Sequence, residues 1–171
     1  GSFDGGGIYH MQGKLNLGGS AYITNNVAEK GQDIAESNGS AYPVHYGGGG
    51  IFSLDLVNIN GAVKVTSNKA GGSGGGLLMA SQGNQVTAVL KMDSGYFAGN
   101  LAITNEGGAM CLTTKGADKN GSYIYSGYIT NNKTTTSVDY GGGGVFVTSN
   151  GGELYVYNPL VTSNTAEGSG G

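Results

Sequence analysis

The side chains with the richest chemistry are sparse in this sequence and do not cluster. Eleven acidic residues are spread over 171 positions, and the two histidines, His10 and His45, lack the short spacing to a second ligand that zinc sites use. Asp55 and Asp93 are candidates for the paired carboxylates that hydrolyse glycosidic bonds. Solvated strand or turn positions are the simpler interpretation of both residues. We therefore predict no catalytic residue, no metal site and no cofactor.

Other signals for chemistry are also missing. Cys111 is the only cysteine, which excludes a disulfide framework, and we expect it to be a small buried side chain. The glycine runs are not followed by Gly-Lys-Ser/Thr, so they are not phosphate-binding loops. The net charge is −3 and arginine is absent, so we expect no nucleic-acid partner. No apolar run reaches 18 residues, so we expect no membrane-spanning segment.

An asparagine recurs at fixed spacing through the chain. It ends a short signature of one apolar residue, two spacers and Asn, and the last three intervals between these asparagines are each 32 residues, while the first is 42. Asparagine hydrogen-bonds to nearby backbone and tolerates the left-handed conformation, so it suits a corner. We predict that the five residues stack as an internal amide ladder rather than bind a ligand: Asn26, Asn68, Asn100, Asn132 and Asn164.

A glycine run followed by apolar residues is the second recurring signature, as in 47–50 before Ile51-Phe52. Such runs allow a sharp corner and a close backbone approach. The distance from the asparagine to the next glycine run varies, and the insertion at 29–46 is the longest. We therefore predict that variable length lies in this one connection.

Short alternating segments lie between the two signatures. Their period of two places one set of side chains inside and the other outside, and no sustained helical stripe of apolar residues is present. Examples are Lys14–Leu17, 62–65, 86–90, 123–125 and 154–157. Glycine supplies 36 residues and charged residues only 11%, which is unlike an ordinary globular domain. The sequence predicts an all-β parallel β-helix of about five coils, in which 1–171 form one segment of a longer repeat protein.

Tyrosine is the remaining candidate for recognition, with 11 residues against 4 phenylalanines. An exposed row of these rings could stack on sugars or on a partner protein, because the ring is apolar and its hydroxyl polar. Ordinary cross-strand packing is the alternative. The predicted recognition surface consists of Tyr123, Tyr125, Tyr155 and Tyr157, together with His45 in the long insertion.

The repeat cassette resembles that of the chlamydial polymorphic outer membrane proteins, whose repeats read Phe-x-x-Asn and then Gly-Gly-Ala-Ile. Phe97-Ala98-Gly99-Asn100, followed by Gly107-Gly108-Ala109-Met110, is most similar to that form, and the other copies carry Ile or Val in place of Phe. The resemblance implies a right-handed parallel β-helix that is exported to the cell surface and often has an adhesive role.

Three functions are compatible with these features. The first is a structural or adhesive segment of a secreted or cell-surface protein, with a host glycan or surface protein as its partner. The second is a glycan-active lyase or hydrolase whose site lies mostly outside this segment. The third is end-to-end self-association into fibres, because the ends of a solenoid expose unpaired strand edges unless they are capped.

Overall fold

The architecture is a parallel β-helix, as predicted. The computed structural model describes residues 4–29, 46–80, 88–113, 121–135, 141–147 and 153–170. Within these ranges the chain forms strands and turns and no helix, and every strand pair is parallel. Each sequence repeat makes one coil, so a strand pairs with its counterparts in the coils before and after it. The prediction of about five coils is confirmed.

The coils contain three or four strands each. Coil 1 comprises β1 (Ile8–His10), β2 (Lys14–Leu17), β3 (Tyr22–Thr24) and β4 (Val27–Ala28). Coil 2 comprises β5 (Ile51–Ser53), β6 (Leu56–Ile59), β7 (Lys64–Thr66) and β8 (Lys69–Ala70). Coil 3 comprises β9 (Leu77–Ala80), β10 (Leu90–Met92), β11 (Tyr96–Ala98) and β12 (Leu101–Ala102). Coil 4 comprises β13 (Met110–Thr113), β14 (Ser122–Thr130) and β15 (Lys133–Thr134), and coil 5 comprises β16 (Val145–Val147), β17 (Leu154–Thr162) and β18 (Thr165–Ala166).

Three sheets run along the axis of the helix. Sheet A is ordered β1-β5-β9-β13-β16, and sheet C contains the two-residue strands in the order β18-β15-β12-β8-β4. Sheet B has two flanks, because β2, β6 and β10 pair on one side and β3, β7 and β11 on the other. The nine-residue strands β14 and β17 span both flanks. The turn that divides the sheet in coils 1–3 is therefore absent in coils 4 and 5.

The core is made of columns of apolar side chains, one residue from each coil. In sheet B, for example, the register aligns Ile23, Val65, Phe97, Ile129 and Val161. The middle members are completely buried, whereas Val161 in coil 5 is 52% exposed. Burial of these columns is the main favourable contribution to folding, since each buried aliphatic or aromatic side chain contributes about 1.5–3 kcal/mol.

Glycines form the corner before sheet A, as predicted. Gly48 has φ +66°, a left-handed conformation that glycine adopts without steric cost. A Cβ on the next residue, Gly49, would lie 2.5 Å from the carbonyl oxygen of Gly75 in the adjacent coil and 2.5 Å from the backbone of Lys69. The glycine run is therefore required because two backbone segments pass each other here without room for a side chain.

In coils 2–4, sheet A is buried on both faces, which the alternating pattern did not predict. Ile51, Leu77 and Met110 face the core, while Phe52, Leu78 and Cys111 occupy the next register position and form a second apolar cluster. Cys111 is buried, as expected from its apolar neighbours. The run 77–79 has no polar residue that would mark an outward face, so its continuous apolar character is the signal for a strand buried on both sides.

The connections vary in length at two corners, so the prediction of one variable connection was wrong. Two residues separate β5 from β6, whereas nine separate β9 from β10. The stretch from Asn68 to Gly76 is 8 residues and that from Gly76 to Asn100 is 24, while from Asn132 to Gly144 it is 12 and from Gly144 to Asn164 it is 20. The constant 32-residue interval thus results from two lengths that compensate.

Two predicted strands are also displaced along the chain. The segment predicted at 62–65 forms a strand at Lys64–Thr66, and the one predicted at 86–90 begins only at Leu90, with residues 86 and 87 outside the described ranges. Both shifts arise because neighbouring coils fix the register, which overrides the local alternation.

Candidate functional site

The predicted tyrosine surface lies on the outer face of sheet B. Tyr123 pairs with Tyr155 in register across coils 4 and 5, and their ring centroids are 5.0 Å apart with the planes 12° from parallel. Tyr125 and Tyr157 repeat this arrangement at 5.0 Å and 13°. The structure therefore brings the four residues together in one two-by-two array, which we call the tyrosine array.

Each ring of the tyrosine array is stacked on the ring at the same register position in the other coil. Tyr123 is also stacked on Tyr125 within its own strand, at 5.7 Å between centroids. Stacking covers ring faces, so the side of the array that faces solvent presents mainly ring edges and hydroxyl groups. A partner on this side would meet hydroxyl donors and acceptors, which favours polar recognition over stacking of sugar rings.

A second column of aromatic and basic side chains runs beside the array on the other flank of sheet B. Its register order is Tyr22, Lys64, Tyr96, Tyr128 and Leu160. The rings of Tyr96 and Tyr128 stack at 4.8 Å, and the Lys64 ammonium lies 5.0 Å from the Tyr22 ring centroid, a cation–π contact. The predicted recognition surface did not include this column, although the 32-residue spacing of Tyr96 and Tyr128 is a signal for it.

Glu153 supplies a charge at the edge of the array. The Tyr155 hydroxyl donates a hydrogen bond to the Glu153 carboxylate. This bond and the negative charge of Glu153 raise the pKa of Tyr155 above its usual 10.0, because both favour the neutral phenol. The phenol–carboxylate pair is exposed and polar, which suits hydrogen bonding to a hydrophilic partner.

The predicted asparagine ladder lies in the interior, at the corner between sheets B and C. In its centre, Asn100 Nδ2 donates to Asn132 Oδ1 at 2.9 Å and to the Val65 carbonyl oxygen at 2.9 Å. Asn100 Oδ1 in turn accepts from the Asn68 backbone N–H at 3.0 Å and from Asn68 Nδ2 at 3.1 Å. Asn68 and Asn132 make the equivalent bonds, so all three central amides use their full hydrogen-bonding capacity inside the protein. No polar atom of these three side chains remains for a ligand.

The left-handed residue of this corner is not the ladder asparagine but the residue before it. Asn25, Ser67, Gly99, Asn131 and Ser163 all have φ between +55° and +64°. Serine is uncommon in this conformation, since a Cβ crowds the following carbonyl. The hydrogen bonds of the ladder hold the corner closed even where serine occupies the strained position.

The two ends of the ladder are open. Asn26 Oδ1, in coil 1, has no donor among the described residues, whereas Asn26 Nδ2 donates to Asn68 Oδ1 at 2.9 Å. At the other end, Asn164 Oδ1 accepts two bonds, and among the described residues Asn164 Nδ2 donates only to the Ile129 carbonyl oxygen, at 2.8 Å. One end therefore presents an acceptor and the other end a donor.

The face of coil 5 is an apolar hollow of about 370 Å³. Val156 and Val161 line it and are 53% and 52% exposed, although the residues at the same register positions in coil 4, Ile124 and Ile129, are buried. The corner residues that follow coil 5 already continue the stack, because Gly142 N–H donates to the Ser169 carbonyl at 3.0 Å. The open face thus has the shape and register of a seat for another coil.

A serine–histidine contact is the nearest approach to a catalytic arrangement in the described residues. His10 Nδ1 lies 2.8 Å from Ser53 Oγ, and Ser53 Oγ also bonds to the backbone of Asp55. Ser53 is completely buried, so no substrate carbonyl can approach its hydroxyl. The contact is therefore a turn-stabilising hydrogen bond.

The carboxylate candidates are not brought together. Asp55 precedes β6, and its two oxygens accept hydrogen bonds from the backbone of Gly13 and Leu56. Asp93 follows β10, the strand paired with β6, so the two residues lie beyond opposite ends of this strand pair. No cluster of three or more His, Cys, Asp or Glu side chains that could hold a metal ion occurs among the described residues.

Two further predictions concern the long insertion and membrane-spanning segments. His45 and residues 30–45 lie outside the described residues, so the predicted contribution of this loop to recognition stays a prediction. In the part of the chain that the structure describes, no helix is long and apolar enough to cross a membrane.

Comparison with family models, curated proteins and solved structures gives no match to this chain. The fold alone defines its class, which is that of the parallel β-helix repeat proteins.

Proposed function

We propose that this chain is a non-catalytic structural and adhesive segment of a secreted or cell-surface protein. The main support for this proposal is the difference in side-chain character between the two sides of sheet B. The inner side packs on the apolar core, and the amide ladder closes the adjoining corner, whereas the outer side displays tyrosines in register over three coils. A rigid rod with a regular polar and aromatic face is suited to holding a partner at a distance from a surface.

The proposed partner is a host glycan or surface protein that hydrogen-bonds to the hydroxyl edge of the tyrosine array. The resemblance of the cassette to chlamydial surface-protein repeats supports this assignment, together with the right-handed winding and the extracellular location that it implies. The exposed pair of Glu153 and Tyr155 adds a charged acceptor to the same edge.

The test is binding of the whole chain to arrays of glycans and purified surface proteins. The informative variant replaces Tyr125 and Tyr157 by Ser, and its matched control replaces Tyr9 and Tyr22, which are also exposed but lie in coil 1. We expect binding that the first variant loses and the control retains. Absence of any partner on the arrays, or equal loss in both variants, would contradict the adhesive role.

End-to-end stacking is the structural part of the proposal. The apolar face of coil 5 and the donor end of the ladder at Asn164 complement a further coil of this cassette, which presents apolar columns and an Asn Oδ1 acceptor. Because Ser169 and Gly170 already occupy the next corner, neighbouring repeats of the same chain fit the seat directly. A second copy must displace these residues and meets Pro159, which lacks an N–H, in the edge strand β17.

Sedimentation of the chain over a range of concentrations tests the stacking of copies. Assemblies whose size increases with protein concentration would support fibres built through coil 5. Val161→Lys should abolish these assemblies, whereas Lys91→Glu, on the outer face, should not. A chain that stays monomeric throughout the range would restrict this seat to neighbouring repeats.

A further inference from the structure

Three tyrosine pairs join adjacent coils on the outer face of sheet B. Tyr123 with Tyr155 and Tyr125 with Tyr157 connect coils 4 and 5, each at 5.0 Å between centroids. Tyr96 with Tyr128 connects coils 3 and 4 at 4.8 Å, with the rings 4° from parallel. Because the strands are parallel and in register, the two tyrosines of each pair project from equivalent positions of adjacent coils, and their rings stack face to face.

We propose that these pairs are sites of oxidative dityrosine cross-linking, which joins successive coils by a carbon–carbon bond between the rings. The residues are preorganised for this reaction, since holding two reactants side by side converts a bimolecular step into an intramolecular one. The inference is independent of the proposed adhesive role, because it needs only the exposed rings and a one-electron oxidant.

The reaction balances with hydrogen peroxide as the oxidant and a haem peroxidase as the catalyst. Each phenol of a pair loses one electron to the peroxidase and one proton to a nearby base, which gives two phenoxyl radicals. The radicals couple through the carbons next to the hydroxyl-bearing carbons, and the two ring hydrogens at these carbons move to the oxygens to restore both phenols. One peroxide takes up the two electrons and two protons and leaves as two waters.

Tyr155 has the acceptor that this step requires. Its hydroxyl already donates to the Glu153 carboxylate, so the proton can leave along an existing hydrogen bond as the electron departs. The neighbouring ring of Tyr123 then lies in position for the radical to couple. We expect the pair Tyr123–Tyr155 to react first for this reason.

Few other side chains compete for the oxidant. The chain has no tryptophan, and its single cysteine is buried, as are Met79, Met92 and Met110. Met11 is 61% exposed and is the one competing residue in the described part of the chain, but its sulfoxide forms without a cross-link.

Two tyrosines provide an internal control. Tyr22 is 62% exposed, more than any member of the three pairs, but its neighbour in the next coil is Lys64. Tyr9 is also exposed and stacks on Phe52 rather than on another tyrosine. If exposure alone governed the reaction, Tyr22 would react most, and if register governs it, Tyr22 and Tyr9 would form no cross-link within the molecule.

The cross-links would hold coil 5 against coil 4. Coil 5 packs on coil 4 through one face only and exposes its inner column at Val156 and Val161. In a repeat protein each coil is stabilised by its neighbours, so opening begins where two coils separate. A bond between Tyr123 and Tyr155 closes the intervening chain into a loop and restricts this opening, as a disulfide does.

The experiment treats the whole chain, at a dilution where it is monomeric, with a haem peroxidase and hydrogen peroxide. Dityrosine fluorescence measures the yield, and peptide mapping by mass spectrometry locates products that have lost two hydrogens. The variant Tyr155→Phe with Tyr157→Phe keeps the stacked rings but removes the reactive phenols from coil 5, and Tyr22→Phe is the matched control.

We expect intramolecular products between coils 4 and 5 and between coils 3 and 4, with a several-fold lower yield in the double variant and no change in Tyr22→Phe. The Tyr96–Tyr128 product should persist in the double variant, which shows that the fold is intact. We also expect proteolytic release of coil 5 to slow several-fold after cross-linking. Products that involve Tyr22 as often as Tyr155, or that form only between molecules, would overturn the proposal.

Discussion

The contribution of a ladder asparagine to the unfolding free energy should depend on its position along the solenoid. Asn100→Ala removes four side-chain hydrogen bonds in the interior: two to Asn68, one to Asn132 and one to the Val65 carbonyl. At a net value of about 1 kcal/mol for each bond, the four bonds contribute about 4 kcal/mol, and the Asn68 backbone N–H left buried without an acceptor adds about 1 kcal/mol or more. That is a large share of a typical unfolding free energy of about 5–15 kcal/mol.

The matched control is the same substitution at the end of the ladder. Asn26→Ala removes one side-chain bond, that from Asn26 Nδ2 to Asn68 Oδ1, and leaves the backbone bond of Asn26 in place. We therefore expect a cost of about 1 kcal/mol. Denaturant unfolding followed by circular dichroism measures both values, and hydrogen exchange of the Asn68 amide reports the lost acceptor directly.

Equal costs at the two positions would refute this reasoning, because the side chain and the substitution are the same and only the number of bonds differs. An Asn68 amide that stays equally protected in Asn100→Ala would refute it as well. Asn100→Asp is a second probe, since a carboxylate oxygen would face the Asn132 and Val65 oxygens without a proton. We expect its penalty to shrink on acidification, when the acid becomes protonated and can donate.

Three further predictions use adjacent or aligned positions as controls. Gly143→Ala should lower the unfolding free energy by more than about 2 kcal/mol, because a Cβ would lie 2.4 Å from the backbone of sheet C. Gly144→Ala should lower it by less than about 1 kcal/mol, because the closest contact of its Cβ is 3.1 Å and alanine occupies this position in coil 4. Denaturant midpoints compare the two variants. Phe97→Ala should cost about 3–5 kcal/mol and Val161→Ala less than about 1 kcal/mol, since they share one column but differ in burial, and similar values would contradict the column model. Burial raises the pKa of Asp4 above 3.8, against the smaller effect of the backbone hydrogen bond to the carboxylate from Gly47. The folded chain therefore binds the proton of the Asp4 carboxyl group more tightly than the unfolded chain does, and the unfolding free energy should increase as pH falls through the raised pKa. Asp4→Asn should lose this increase in denaturant curves taken between about pH 3 and pH 7.

The fold was predictable because the sequence marks two corners of every coil. An apolar residue three positions before asparagine, and glycine before an apolar strand, recur often enough to reveal a solenoid with a ladder at one corner. The left-handed residue at that corner was less visible, since Ser67 and Ser163 carry no local signal for it. Their conformation is imposed by the ladder bonds of the residue that follows.

The tyrosine array was predictable as a set of residues but not as a geometry. Alternation placed Tyr123 and Tyr125 on one face of a strand, and the 32-residue interval relates them to Tyr155 and Tyr157. Whether the rings stack along the axis depends on the register between β14 and β17, which the ladder and the core columns fix through contacts between the coils. Sequence spacing alone does not give the distances and angles between the rings.

The compensating connections have a consequence for how such a rod diversifies. Ladder and core fix the position of each coil from the inside, so the segments at the two variable corners lengthen or shorten without shifting any strand relative to its neighbours. The stretch from Asn26 to Gly50 is 24 residues and that from Asn68 to Gly76 is 8, yet the two glycines precede residues that are aligned in sheet A. Insertions at these corners are therefore modular: a segment can be exchanged between coils, or replaced by an unrelated peptide, while the scaffold keeps its alignment.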